Sequence, residues 1–228
     1  MAKILNIETS TTVCSIAIGV DGETVSVNEI NDGYSHAEEI EGLISKSLKE
    51  ANLKMTDLDA ISVSKGPGSY TGLRIGVSIA KGLCFGLKIP LISVPTLESL
   101  AFHPKLEKYP NELRVPMLDA RRMEVYSCVL NAKNELVAQT EAVVVDEKSY
   151  LEYLRNNDVV FFGPGMDKCK EQLSIHQGAK FQRDVMPSAE QMVSVSEEKH
   201  QNENWEDVAY FEPFYLKDFV AGKPKKLL

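Results

Sequence analysis

The chain reads as an α/β protein made from one structural unit used twice. Three observations carry this. Strand-like runs of period two alternate with helical runs of period 3.6. Two short strands end on an acid, Glu8 and Asp119, and each leads into a polar turn and a hairpin. Two Gly-Pro-Gly triplets, at Gly66-Pro67-Gly68 and Gly163-Pro164-Gly165, each follow a later strand. The order strand, acid, turn, hairpin, helix, strand, Gly-Pro-Gly thus occurs from Glu8 to Gly68 and again from Asp119 to Gly165. The boundary is expected within Phe102 to Glu112, where Pro104 and Pro110 stand among polar residues. That places one lobe over residues 1–102 and a second over 103–228.

In the first unit, Ile4 to Ile7 is a short apolar strand closed by Glu8 and the polar turn Thr9-Ser10-Thr11-Thr12. Val13 to Val20 is β-rich, Asp21-Gly22 is a hairpin signal, and Thr24 to Ile30 alternates again. From Ser35 the period changes. Ala37, Ile40, Leu43, Ile44, Leu48 and Ala51 follow helical spacing, with Ser35 and Glu38 forming a capping box. Ala60 to Ser64 is a strand. Thr71 to Phe85 is a helix, and Leu91 to Val94 a strand. In the second unit, strands are expected at Arg114 to Leu118, Glu124 to Leu130, Glu135 to Val145 and Val159 to Phe162, with a helix over Asp146 to Asn156. Pro187 to His200 reads as a helix, and Phe211 to Phe214, with Pro213 inside, as an extended tail on the body.

Composition excludes several classes. A net charge of −8 argues against binding nucleic acid through this chain alone, which needs clustered Lys and Arg. Lys217, Lys223, Lys225 and Lys226 are the exception and read as a solvated tail. The first residues are too short for a signal peptide, and no apolar run is long enough to span a bilayer. Cys14, Cys84, Cys128 and Cys169 form no CxxC pair, so free thiols in a reducing cytoplasm are expected.

The stretch from Lys65 to Gly86 is the most informative. Its glycines, spaced GxGxxxG, fit neither a Walker loop nor a dinucleotide fingerprint. A tight turn and a nucleotide contact both remain open for Gly66, Gly68 and Ser69. The helix that follows is apolar nearly all round. One stripe is Leu73, Val77, Ala80 and Cys84, and a second is Ile75, Ile79, Leu83 and Gly86. Only Arg74 and Lys81 are charged. Such a helix is buried on more than one side, either within the core or between the sheet and another polypeptide. Gly72, Gly76 and Ala80, four residues apart, suggest close helix–helix approach. The histidines have no partner at metal-ligand spacing, and no HExxH or GxSxG occurs. Glu8 and Asp119 could position a metal-phosphate or simply close turns.

Five segments resemble the bacterial TsaB (YeaZ) family: ILNIETSTTVCSIAIG, SHAEEI, KGPGSYTGLRIGVSIAKGLCFGLKIPLISVPTLESLA, MLDARRMEVYSCVL and FEPFYLKDF. They run in order over nearly the whole chain. The resemblance implies the two-lobed actin-like ATPase (ASKHA) fold with duplicated βββαβα units, the second lobe reduced. It implies a non-catalytic subunit that binds and activates the paralogous enzyme TsaD. TsaD forms the threonylcarbamoyl group on adenosine beside the tRNA anticodon, with help from the small ATPase TsaE. The HxxxH metal pair of TsaD is replaced here by Thr96 and Leu100, which are not plausible ligands for its metal. Dimers of the family form through two helices of the first lobe. Carried onto this chain, the interface is His36, Ile40, Leu43, Ile44, Thr71, Arg74, Ile75, Ser78, Ile79 and Gly82. The chain is expected to be a homodimer when alone, to touch tRNA only indirectly and to need no cofactor itself. A weak or interface-shared ATP or ADP with Mg would involve Glu8, Gly66, Gly68, Ser69 and Asp119. The rival reading is a stand-alone actin-like ATPase or phosphotransferase using the same acids. A peptidase has neither metal site nor triad here.

Overall fold

The computed structural model describes residues 2–31 and 36–217. Strands β1 (Lys3–Glu8), β2 (Cys14–Val20) and β3 (Glu23–Ile30) form an antiparallel meander. Asp21 and Gly22, with φ of 58° and 80°, close the β2–β3 turn in the left-handed region that such hairpins require. Helix α1 (His36–Glu50) follows. The capping residue Ser35 lies outside the described residues. Strands β4 (Ala60–Gly66) and β5 (Leu91–Pro95), joined by α2 (Tyr70–Leu87), add in parallel beside β1, giving the order β3-β2-β1-β4-β5.

The second unit repeats this order. Its strands are β6 (Leu113–Asp119), β7 (Glu124–Leu130), β8 (Leu136–Val144), β9 (Val159–Phe162) and β10 (Ala179–Gln182), arranged β10-β9-β6-β7-β8. Matched strand for strand, β6 stands where β1 does and β9 where β4 does. The two-lobed actin-like fold is therefore present, and its second copy is cut down. The first unit's helices have 15 and 18 residues, whereas α4 (Leu151–Leu154) and α5 (Met166–Leu173) have 4 and 8. A helix over Asp146 to Asn156 is not what forms. Tyr150 sits at φ 62°, its hydroxyl 2.6 Å from Ser127 Oγ, and only Leu151–Leu154 are helical after it.

Each sheet is covered on both faces. On the first, Leu5, Ile7, Ile16, Ile18, Ile61 and Val63 pack under α1 and α2. The other face carries smaller side chains. Ile4, Ala60, Ile92 and Val94 meet Met192, while Ala17 meets Ala189 and Val193. These last residues belong to a 3-10 turn (Ala189–Met192) and to α6 (Val193–Gln201). Gly19 permits the approach, because a Cβ there would sit 2.7 Å from Val193 Cγ1. On the second sheet, Val115, Met117, Val159 and Phe161 pack on α5. Its other face receives Leu97 and Leu100 of α3 (Thr96–Leu100) and Leu106 of the linker. The chain after β10 thus returns to the first sheet, and the short helix after β5 packs on the second. Thr96 and Leu100 are both fully buried in α3.

Candidate functional site

The site is built around the end of β1. Glu8 is fully buried, and its Oε1 accepts from the Ser10 N–H at 2.5 Å and from Ser64 Oγ at 3.1 Å. Its Oε2 has no partner. Burial pushes the carboxyl up from its ordinary value, against the opposing bonds from Ser10, Ser64 and Thr9. The turn that follows is clamped from three sides. The Ser69 N–H donates to Ser10 O at 2.6 Å, and Thr9 Oγ1 donates to Gly72 O at 2.8 Å. His36 Nε2 lies 2.7 Å from Thr11 O; a carbonyl only accepts, so Nε2 carries the proton.

The glycines of the loop and helix serve this clamp. A Cβ at Gly68 would sit 2.4 Å from Ser10 O, and one at Gly72 would sit 2.1 Å from Thr9 O. At Gly76 the obstacle would be Thr9 Oγ1 at 2.3 Å. Gly72 and Gly76 therefore admit the β1–β2 turn, not another helix. The duplicated loop does the same on β6. A Cβ at Gly163 would meet Met117 O at 2.6 Å, and one at Gly165 the Leu118 carbonyl carbon at 2.8 Å.

Asp119, the counterpart of Glu8, has a different environment. It faces solvent in part, pairs with Lys168 Nζ and accepts from the Arg121 N–H at 2.7 Å. Burial pushes its carboxyl up, but Lys168 and the Arg121 amide outweigh this and hold it below its ordinary value.

A cleft of about 730 Å³ opens between the lobes. The β1–β2 turn (Ser10–Thr12), the loop and first residues of α2 (Pro67–Thr71), the β6–β7 hairpin (Leu118–Arg121) and the tail segment Phe214–Lys217 line it. It gathers Gly68, Ser69 and Asp119 from the expected nucleotide set. Glu8 and Gly66 do not reach it: Glu8 is sealed behind the turn, and a Cβ on Gly66 would meet Phe214 O at 2.9 Å. The set does not fit a magnesium–nucleotide group, since one acid is buried with its carboxyl pushed up and the other already holds a lysine. Among the described residues, no cluster of three or more His, Cys, Asp or Glu is placed to hold a metal ion.

The expected interface divides in two. His36, Ile40, Leu43 and Ile44 are buried in the chain's own core under α1, so they have no surface to offer a partner. This corrects the α1 half of the expectation: its apolar stripe is the one that covers the sheet. The outward face of α1 is Glu38, Glu41, Gly42, Ser45, Lys46 and Lys49, all exposed. On α2 the expected residues do face outward. Thr71, Arg74, Ser78 and Gly82 are exposed, and Ile75 and Ile79 are half-buried. Phe85 is 83% exposed on the same side. Nothing lies within 4 Å of a Cβ built on Gly42, Gly82 or Gly86. The small stripe that leaves room for a partner is thus Ser78, Gly82 and Gly86. The spacing pointed instead to Gly72, Gly76 and Ala80, of which Gly72 and Gly76 are taken up by Thr9.

The other charge of α2, Lys81, turns to the flank. It donates to the carbonyls of Ala209 at 3.1 Å and Phe211 at 2.9 Å. Residues 209–211 thus lie against α2, and the Pro213 segment follows them as an extended tail on the body. Lys217 pairs with Glu124, so it is not solvated alone. Lys223, Lys225 and Lys226 lie outside the described residues.

Comparison with known proteins agrees with the architecture. Residues 33–224 match the family model described as TsaD, tRNA N6-adenosine threonylcarbamoyltransferase. The tRNA threonylcarbamoyladenosine biosynthesis protein TsaB of Escherichia coli is 30% identical over 97% of this chain and 97% of its own length. That of Bacillus subtilis is 33% identical over 78% of this chain and 77% of its own. In structure, YeaZ from Pseudomonas aeruginosa superposes with a TM-score of 0.81 at 24% identity, covering 95% of this chain and 100% of that one. No helix among the described residues is long and apolar enough to cross a membrane.

Proposed function

The chain belongs to the TsaB (YeaZ) family, and from that premise we propose that it is a non-catalytic partner subunit that binds and activates a TsaD-type enzyme. Its role is in the biosynthesis of tRNA threonylcarbamoyladenosine. The observation that carries the finer reading is the outward face of α2. It is apolar or small from Thr71 to Gly86, with Arg74 as its one charge, and it ends on the exposed ring of Phe85. An apolar helical face with glycines, left uncovered by the described residues, suits another helix laid against it. The polar outward face of α1 would form the rim. In the isolated chain the same face would make an isologous homodimer, and with TsaD a pseudo-symmetric pair. A TsaE-type ATPase would complete the active assembly.

The stand-alone ATPase reading draws less support. It needs free acids at the ends of β1 and β6, and Glu8 is buried while Asp119 carries its own counter-cation.

Reconstitution tests the proposal. With TsaD-type and TsaE-type proteins and unmodified tRNA, threonylcarbamoylated adenosine should fall to background when this chain is left out. Undiminished product without it overturns the reading. Ile75→Glu and Phe85→Glu should abolish co-elution with TsaD and leave the melting temperature near wild type. Co-elution of both variants would sink the docking face.

A further inference from the structure

Residues 207–217 have no regular structure, and their attachment changes along their length. The first part is anchored. Val208 and Phe211 pack against the first lobe's core. The Asp207 carboxylate accepts from the Ala209 and Tyr210 N–H groups at 2.8 and 3.2 Å, and Lys81 holds two carbonyls. Beyond Pro213 the hold is of another kind. One backbone bond, from the Phe214 N–H to Lys65 O at 2.7 Å, fixes the chain across the Gly-Pro-Gly loop. After it come a ring contact, Tyr215 against Tyr70 at 4.8 Å, and the pair of Lys217 with Glu124 in the second lobe. Neither reaches the core.

Phe214 to Lys217 also form one wall of the inter-lobe cleft. The Tyr70–Tyr215 contact is backed by a residue of the docking face: Arg74 lies 4.9 Å over the Tyr70 ring, which meets Tyr215. Three places therefore meet at one tilted ring contact, namely the cleft, the tail segment 214–217 and the outward side of α2.

We propose that residues 214–217 are a latch across the cleft and that Arg74 is its catch. A partner docked on α2 that engages the Arg74 guanidinium withdraws it from the Tyr70–Tyr215 contact, and the latch loses its main lateral hold. Among the described residues, what then holds it is the backbone bond to Lys65 and the surface ion pair with Glu124, which solvent and salt weaken. Docking and cleft access are then coupled through a segment with two arrangements. The coupling to a partner rests on the reading of α2 as a docking face; the latch does not.

A thiol reporter tests it in the isolated chain, diluted until gel filtration shows a monomer, because a second copy docked on α2 would itself engage Arg74. The four native cysteines are buried, with the Cys84 and Cys128 thiols pushed up to about 12 by burial, so their background is quiet. Thr12→Cys places a thiol in the cleft wall. In that background Arg74→Ala and Tyr215→Ala should each raise its maleimide rate by about tenfold, as local opening becomes easier. Hydrogen exchange at the Phe214 amide should rise in step, while the Phe211 amide, bonded to Asp207 O at 2.8 Å, keeps its rate. Unchanged rates in both variants overturn the proposal. So does equal acceleration at Phe211 and Phe214, which would make the tail one unit. Ile75→Glu separates the two readings: it should lose the partner with the latch still closed. If it keeps the partner while Arg74→Ala still opens the cleft, docking on this face fails and the latch stands.

Discussion

The two halves of the molecule share a backbone plan and differ in almost everything attached to it. Their strand orders match, and in each a Gly-Pro-Gly loop presses against the end of the unit's first strand. Yet the acid at that strand end is sealed and pushed up in the first half, and exposed and held low in the second. Among the described residues, the long apolar helix exists only in the first half. What the duplication preserved is the close backbone packing that only glycine allows. What sets this chain apart lies where the copies diverge: the outward side of α2 and the tail segment 207–217 strapped to it.

The largest expected effects test the shared part. Gly72→Ala drives a Cβ into Thr9 O, and Gly165→Ala drives one into Leu118. Each should cost roughly 3 kcal/mol in urea unfolding, the upper range for forced overpacking. A much smaller loss at Gly165 would mean that the second copy has relaxed and the likeness is only in outline.

The strand-end acids come next, and they should respond to pH with opposite signs. Glu8→Ala strands the Ser10 N–H and Ser64 Oγ, for about 1–3 kcal/mol. Glu8→Gln keeps an acceptor and removes the charge. Because the folded carboxyl lies above 4.5, its contribution is fully present below that pH and is lost as pH rises through the folded value. The Gln variant should therefore gain on wild type from about pH 4.5 upward in thermal melts. A constant difference across that range would contradict a raised Glu8.

Gly82→Ala probes the divergent part. With open space at its Cβ it should stabilise the isolated fold by up to about 1 kcal/mol, by helix propensity, while weakening association. Association at wild-type strength would remove the small stripe from the docking face. The smallest effect belongs to Asp119→Asn. The folded carboxyl lies below 3.8, so its stabilisation is present above that pH and is lost as pH falls through the folded value. Being well exposed and screened, it should amount to under about 1 kcal/mol at neutral pH. A larger loss would make Asp119 as structural as Glu8.

The amino-acid sequence by itself determined the strands from β1 to β9, the duplicated order and the two Gly-Pro-Gly loops, because period-two runs, acids and glycines are local signals; the four-residue edge strand β10 carried no such signal. It also determined that α2 is apolar on more than one side. It could not assign glycines to their neighbours: Gly72, Gly76, Gly82 and Gly86 look alike in spacing, and only the position of Thr9 divides them into packed and open. Nor could it decide which face of α1 meets the sheet, since one apolar stripe serves a core or a partner equally well. The tertiary structure decided that Ile40, Leu43 and Ile44 cover the sheet. It brought Lys168 to Asp119 across 49 residues and Lys81 to the tail across about 130. Such contacts follow from where the folded chain passes, and no local pattern encodes that.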